Sequence, residues 1–278
     1  FAAAACVPAH GQYTAEHFVA TGSGQDTPFF FRAAGGGNYQ DNELFVFEGL
    51  IENNSATGAS EITLWESPKS APTIRASSNL PWSTAPSAGF IIWDFELIYM
   101  PGTSITYSLS APSQTTQTGT WNFSDNALGG PGKPDTLLTD IIIRAAPRNQ
   151  DPATADTQVS LTNLQLKVGA NPYEDILNPT TSANNLVATA NNPLAYRPVQ
   201  FLFLDNVLNP AQEFGVRGQV ALSWESPLQG GVSPINGANL AWEFKVGNFE
   251  VVPEGELLWA MVPMACAAGW DVRRRLRA

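Results

Sequence analysis

Polar and apolar residues alternate along most of this chain, and turn residues interrupt the alternation at short intervals. In WDFELIYMPGTSITYSLS, residues 93–110, the apolar Phe95, Leu97 and Tyr99 alternate with Asp94, Glu96 and Ile98. Pro101-Gly102 then turns the chain, and Ile105, Tyr107 and Leu109 alternate with Thr106 and Ser108. A period of two sends successive side chains to opposite faces of a strand, so this segment predicts a β-hairpin with one buried face. QVSLTNLQLKV, residues 158–168, keeps the same period in Val159 and Leu161 but resumes out of phase at Leu164 and Leu166. A bulge or turn at Thr162-Asn163 accounts for the slip. TLLTDIIIR (136–144), VQFLFLDNV (199–207), VRGQVALSW (216–224) and LAWEFKVGNFEVV (240–252) read as further strands. GGPGKPD (129–135) and NPYEDILNPTTSANN (171–185) read as long loops. No stretch of the body shows a sustained helical period with caps. The expectation is an all-β body, residues 12–251, folded as an antiparallel, jelly-roll-like β-sandwich.

Two stretches look alike. ELFVFEGLIENN with EITLWESP (43–54, 61–68) parallels QFLFLDNVLNP with VALSWESP (200–210, 220–227), each an aromatic-rich strand, a polar turn and a second strand ending in Trp-Glu-Ser-Pro. An internal repeat is one explanation. Shared turn chemistry is the simpler one, since Pro68 and Pro227 end each strand by removing a ladder donor.

Composition narrows the class. With 278 residues, 44% of them hydrophobic, the chain can fill a core without metal or disulfide. The net charge is -11, and nucleic acid is excluded as a partner because so acidic a chain repels phosphate. Both cysteines, Cys6 and Cys266, stand near the ends of the sequence, so the body has no disulfide framework and no thiolate metal site. Small apolar residues followed by Ala9-His10-Gly11 make residues 1–11 the expected remnant of a secretory signal peptide, the alternative being a disordered or strand-forming N-terminus.

Candidate chemistry in the body is sparse. Only His10 and His17 are present, and His17 has no nucleophile motif beside it. Zinc-ligand spacings are absent, and no cofactor is expected. Asp94 and Glu96 share one strand face, where solvated alternation explains them as well as a carboxylate pair does. Calcium among Asp125, Asn126 and Asp135 lacks a calcium-loop spacing. Trp65, Trp82, Trp93, Trp121, Trp224 and Trp242 suit either a sugar-stacking platform or a sandwich interior.

The C-terminus carries the most specific pattern. Val252-Pro253-Glu254 precedes a mostly apolar, uncharged run over 257–270, and Arg273, Arg274, Arg275 and Arg277 follow it. This order resembles the PEP-CTERM sorting signal of bacterial proteins, although Gly255 stands where that motif has a second proline and Pro263 interrupts the run. The resemblance implies that residues 252–278 form a sorting and anchor segment with a hydrophobic helix outside the body. It also implies transient insertion of 257–272 into the inner membrane and recognition of Val252, Pro253 and Glu254 by an exosortase-type enzyme. The arginines then form a basic stop cluster, held in the cytoplasm by the positive-inside rule. The body is similar, in WDFELIYMPGTSITYSL, LTDIIIRA, TQVSLTNLQLKVG, VALSWESP and LAWEFKVG, to bacterial surface domains of the choice-of-anchor class, the W type in particular. Together these resemblances imply an exported, non-catalytic cell-surface or extracellular-matrix protein, with extracellular polysaccharide as a partner to consider. A carbohydrate-binding or carbohydrate-processing sandwich is the alternative. Exposed coplanar tryptophans, or two carboxylates facing across a cleft, would favour that alternative.

Overall fold

A computed structural model describes residues 12–20, 30–51, 60–66, 73–79, 91–123, 135–147, 157–190, 199–224 and 240–252. In chain order its strands are β1 (Tyr13–Thr14), β2 (Glu16–Ala20), β3 (Phe31–Ala33), β4 (Glu43–Ile51), β5 (Ser60–Glu66), β6 (Thr73–Asn79), β7 (Ile92–Met100), β8 (Ser104–Ser110) and β9 (Gln117–Asn122). They continue as β10 (Asp140–Ala146), β11 (Thr157–Val168), β12 (Glu174–Leu177), β13 (Leu186–Ala190), β14 (Val199–Leu204), β15 (Phe214–Trp224), β16 (Leu240–Gly247) and β17 (Phe249–Val251). A first sheet runs β1-β12-β11-β15-β7-β8-β9, with β13 also paired to β11, and a second runs β2-β14-β10-β16-β4-β5-β6. Among the described residues the pairs in both sheets are antiparallel except β1 with β12.

The alternation explains why the two sheets face each other. Trp93, Phe95, Leu97 and Tyr99 of β7 and Ile105, Tyr107 and Leu109 of β8 are all buried, as the hairpin pattern predicts. Across the interface Phe95 stacks on Trp242 with ring centres 5.4 Å apart, and Tyr107 stacks on Phe47 at 5.2 Å. Each such side chain contributes roughly 1.5–3 kcal/mol by leaving water. The all-β, antiparallel sandwich read from the sequence is therefore the fold. The hydrophobic helix expected with it falls in 253–278, outside the described residues, as does the leader remnant 1–11.

Three boundaries differ from the sequence reading. The segment 240–252 is two strands: β16 pairs with β4 and β10, and after Asn248 the chain leaves the second sheet to pair as β17 with β3. Phe249 then packs with Phe31 on Ile142, Phe201 and Phe203, a small second core on the outer face of the second sheet. In 136–144 the strand begins only at Asp140, because Asp135–Leu137 forms a 3-10 turn. Within 171–185, expected to be loop, Glu174–Leu177 is a strand whose backbone is held by β11 on one side and β1 on the other.

The two similar stretches play different parts. β4 and β5 form a hairpin within the second sheet, whereas β14 belongs to the second sheet and β15 to the first. The two stretches are therefore not one repeated structural unit among the described residues, and Pro68 and Pro227 lie outside them.

Candidate binding groove

The same alternation that builds the core leaves a polar outer face on the first sheet. Strand register arranges that face in rows. Ser110 lies opposite Asp94 and Asp94 opposite Gln219. In the next row Ser108, Glu96, Arg217 and Gln165 follow one another across β8, β7, β15 and β11. At about 4.8 Å between strands, the four-strand row spans roughly 14 Å.

A bulge completes the site. The pairing of β11 with β15 shifts register between Thr162 and Gln165, where the sequence loses phase. Asn163 takes a left-handed backbone, φ 52°, a conformation its short polar side chain tolerates, and projects outward. Its Nδ2 donates to Gln219 Oε1 at 2.8 Å. The bulged strand passes so close to Gly218 that a Cβ there would lie 2.9 Å from the carbonyl oxygen of Thr162, so glycine is required. These residues line an open groove of about 400 Å³, into which Phe95 and Gly218 also open while the Phe95 ring faces the core.

The groove side chains hold one another in place. Gln219 Nε2 donates to Asp94 Oδ1 at 2.9 Å, and Arg217 Nε donates to Gln165 Oε1 at 2.8 Å. Gln165 Nε2 in turn donates to Asp175 Oδ1 at 2.9 Å, which also accepts from Asn184 Nδ2 at 3.2 Å. Tyr173 donates its hydroxyl proton to Glu96 Oε1 at 2.8 Å, with the Arg217 guanidinium 4.0 Å from its ring centre. Gly215 on β15 makes room for that hydroxyl, since a Cβ would collide with it. Burial, reinforced by the Glu96 hydrogen bond, pushes the Tyr173 phenol well above the ordinary tyrosine range.

Tyr173→Phe should therefore cost about 1.5–3 kcal/mol, the range for a hydrogen bond to a charged acceptor. Urea denaturation measures the loss. Because the raised phenol pKa stabilises the fold fully below about pH 10 and is lost as pH rises above it, the difference from wild type should shrink in strong alkali.

The arrangement supplies hydrogen-bond donors and acceptors. Asp94 and Glu96 project side by side from one strand, and among the described residues no third carboxylate lines the groove opposite them. Trp65, Trp93, Trp121 and Trp242 are buried, so none of these four offers an exposed platform. Trp82, and the side chain of Trp224, lie outside the described residues. His17 sits half-buried between Thr180 Oγ1, at 2.8 Å, and Gln200 Oε1, at 3.3 Å, tying the two sheets together. No cluster of three or more His, Cys, Asp or Glu suited to a metal occurs among the described residues. Asp125 and Asn126 are outside them.

Of the sorting residues, Val252 is described: its N–H donates to Phe30 O at 2.8 Å. Pro253, Glu254, Arg273, Arg274, Arg275 and Arg277 lie outside the described residues. Sequence reasoning singled out Asp94 and Glu96 but not Ser108, Ser110, Asn163, Gln165, Tyr173, Arg217 or Gln219. The available signal was their outward parity, which cannot say which strands are neighbours. No protein-family model matches the chain, and no curated protein matches it.

Proposed function

We propose that this chain is an exported, non-catalytic cell-surface or extracellular-matrix protein sorted through its C-terminal segment by an exosortase-type enzyme. The observation that carries the reading is the order of the tail: Pro253-Glu254, the apolar run to Trp270, then Arg273, Arg274, Arg275 and Arg277. In the body, β17 ends at Val251 and the Val252 N–H donates to Phe30 O, so the chain is held by β-type bonding up to the residue before Pro253. The arginines keep the C-terminus on the cytoplasmic side while the apolar run enters the bilayer. The run is shorter than the roughly 20 residues that span a bilayer, and arginine snorkelling with local thinning makes up part of the difference. Pro253 and Glu254 then stand at the outer surface, within reach of the sorting enzyme.

Immunoblots of fractionated cells that contain an exosortase test this. Neutralising Arg273, Arg274, Arg275 and Arg277 together should weaken membrane retention. Replacing Pro253 and Glu254 should instead leave a membrane-inserted, unprocessed precursor. A soluble, full-length product that still carries Arg277, with no membrane-bound precursor, overturns the proposal.

A further inference from the structure

We propose that the polar groove on the first sheet is a binding site for a neutral polysaccharide, gripped through its hydroxyl groups. The inference stands on the body alone and does not depend on how the tail is sorted. Three observations carry it.

The first is the chemistry of the lining. Asp94 and Glu96 offer carboxylate oxygens that accept protons from adjacent hydroxyls, Gln219 and Asn163 both donate and accept, and Arg217 adds guanidinium donors beyond the Nε it gives to Gln165. A ligand dense in hydroxyls, each both donor and acceptor, is the class that such a mixed set satisfies. A purely apolar ligand would leave these groups without the water they now contact.

The second is preorganisation. Gln219 is held between Asn163 and Asp94, and Arg217 is held by Gln165 and the Tyr173 ring. Side chains already ordered by one another lose little further freedom when a ligand arrives. They stand on four paired strands, so their spacing is fixed by the backbone, and the rows are long enough to contact successive sugar units of a polymer.

The third is charge and shape. A chain of net charge -11, with Asp94 and Glu96 in the groove, repels polyanions such as uronate polymers. Among the described residues the groove lining contains no exposed aromatic platform: the Phe95 ring faces the core and the Tyr173 ring is covered by Arg217. Recognition therefore runs through hydroxyl edges rather than ring stacking. Affinity per site is low, with a Kd on the order of 1 mM for an oligosaccharide, and a surface array of copies raises it by avidity.

Affinity electrophoresis of the full chain tests the site, with galactomannan, mixed-linkage β-glucan or alginate cast into the gel. Asp94→Ala, Gln219→Ala and the groove-filling Ser108→Trp are compared with wild type and with Ile74→Ala, an exposed change on the second sheet. Melting curves establish that each variant is folded. The expected result is retardation of wild type and Ile74→Ala by at least one neutral glycan, a fivefold or greater rise in Kd for each folded groove variant, and no retardation by alginate. No retardation by either neutral glycan, retardation unchanged in the groove variants, or stronger retardation by alginate each overturns the proposal.

Discussion

Glu243→Gln should destabilise the body by about 3–5 kcal/mol, a large fraction of the roughly 5–15 kcal/mol that holds an ordinary domain folded. Glu243 lies on the outer face of β16, only 3% exposed, yet it is charged and surrounded by charge. Its Oε1 accepts from Arg144 Nη1 at 2.6 Å and its Oε2 lies 2.8 Å from Lys245 Nζ. Lys245 is itself 1% exposed, with Glu43 Oε2 at 3.5 Å and the Trp65 ring centre at 5.8 Å. Neutralising the glutamate removes the anion between Arg144, whose side chain is 12% exposed, and the buried Lys245, leaving two like charges facing each other. Exposed pairs behave otherwise: their loss costs about 0–1 kcal/mol and is masked by salt. Urea denaturation of Glu243→Gln at low salt and at about 1 M salt separates the two cases. A loss under about 1 kcal/mol, or one that salt abolishes, would show that the ladder is solvated rather than buried.

That ladder marks where sequence reasoning stops. Alternation places Glu243 and Lys245 on the face opposite Trp242 and Phe244, and parity normally equates that face with solvent. In the middle of the second sheet both faces are buried, a condition that sequence signals by continuous apolar runs rather than by alternation. Ile141, Ile142 and Ile143 of β10 and the run Phe201-Leu202-Phe203-Leu204 of β14 are such runs, and every one of these side chains is buried. Ile141, Ile143, Leu202 and Leu204 fill the main core, and Ile142, Phe201 and Phe203 fill the outer one. In the first sheet, buried on one face, β7, β8, β11 and β15 were legible down to the bulge at Thr162-Asn163, whereas β12 read as loop.

The groove was legible only in part, for a different reason. Outward parity identified Asp94 and Glu96, but what sits beside them comes from β15 and β11, whose partners are distant in sequence. Asp94 and Gln219 are 125 residues apart, and Glu96 and Tyr173 are 77 apart. Strand order is a property of the whole fold, and no local pattern encodes it. The end of the sandwich shows the same limit. Apolar residues continue from Phe244 to Val252 without a turn signal stronger than Gly247-Asn248, so the sequence reads as one strand. What bends the chain is a carboxylate 109 residues earlier.

That carboxylate is Asp140, and Asp140→Ala should cost about 2–5 kcal/mol. Asp140 opens β10 at 2% exposure. One oxygen accepts the backbone N–H of Asn206 and the other that of Phe249, both at 2.7 Å. The first contact fixes the turn after β14, where Asn206 adopts a left-handed φ of 52°. The second directs Phe249 out of the second sheet and into the outer core with Phe31. Alanine leaves the buried Phe249 N–H unsatisfied at about 1–3 kcal/mol, takes the charged acceptor from the part-buried Asn206 N–H at about 1–2 kcal/mol, and frees the β3–β17 ribbon. Asp140→Asn keeps one acceptor but turns an NH2 toward the other donor, so its loss should be smaller than that of alanine. The pH dependence is distinctive. Burial, opposed by the two N–H donors, holds the Asp140 carboxyl above its ordinary value near 4. Between that value and the raised one the folded state binds more proton than the unfolded state, so the contribution of Asp140 to stability falls as pH rises through this window. The stability gap between wild type and Asp140→Asn should accordingly widen as pH is lowered from neutral toward about 4, in urea titrations at matched ionic strength. A gap that narrows on acidification would mean that the hydrogen bonds outweigh desolvation, and that the Asp140 carboxyl lies below its ordinary value rather than above it.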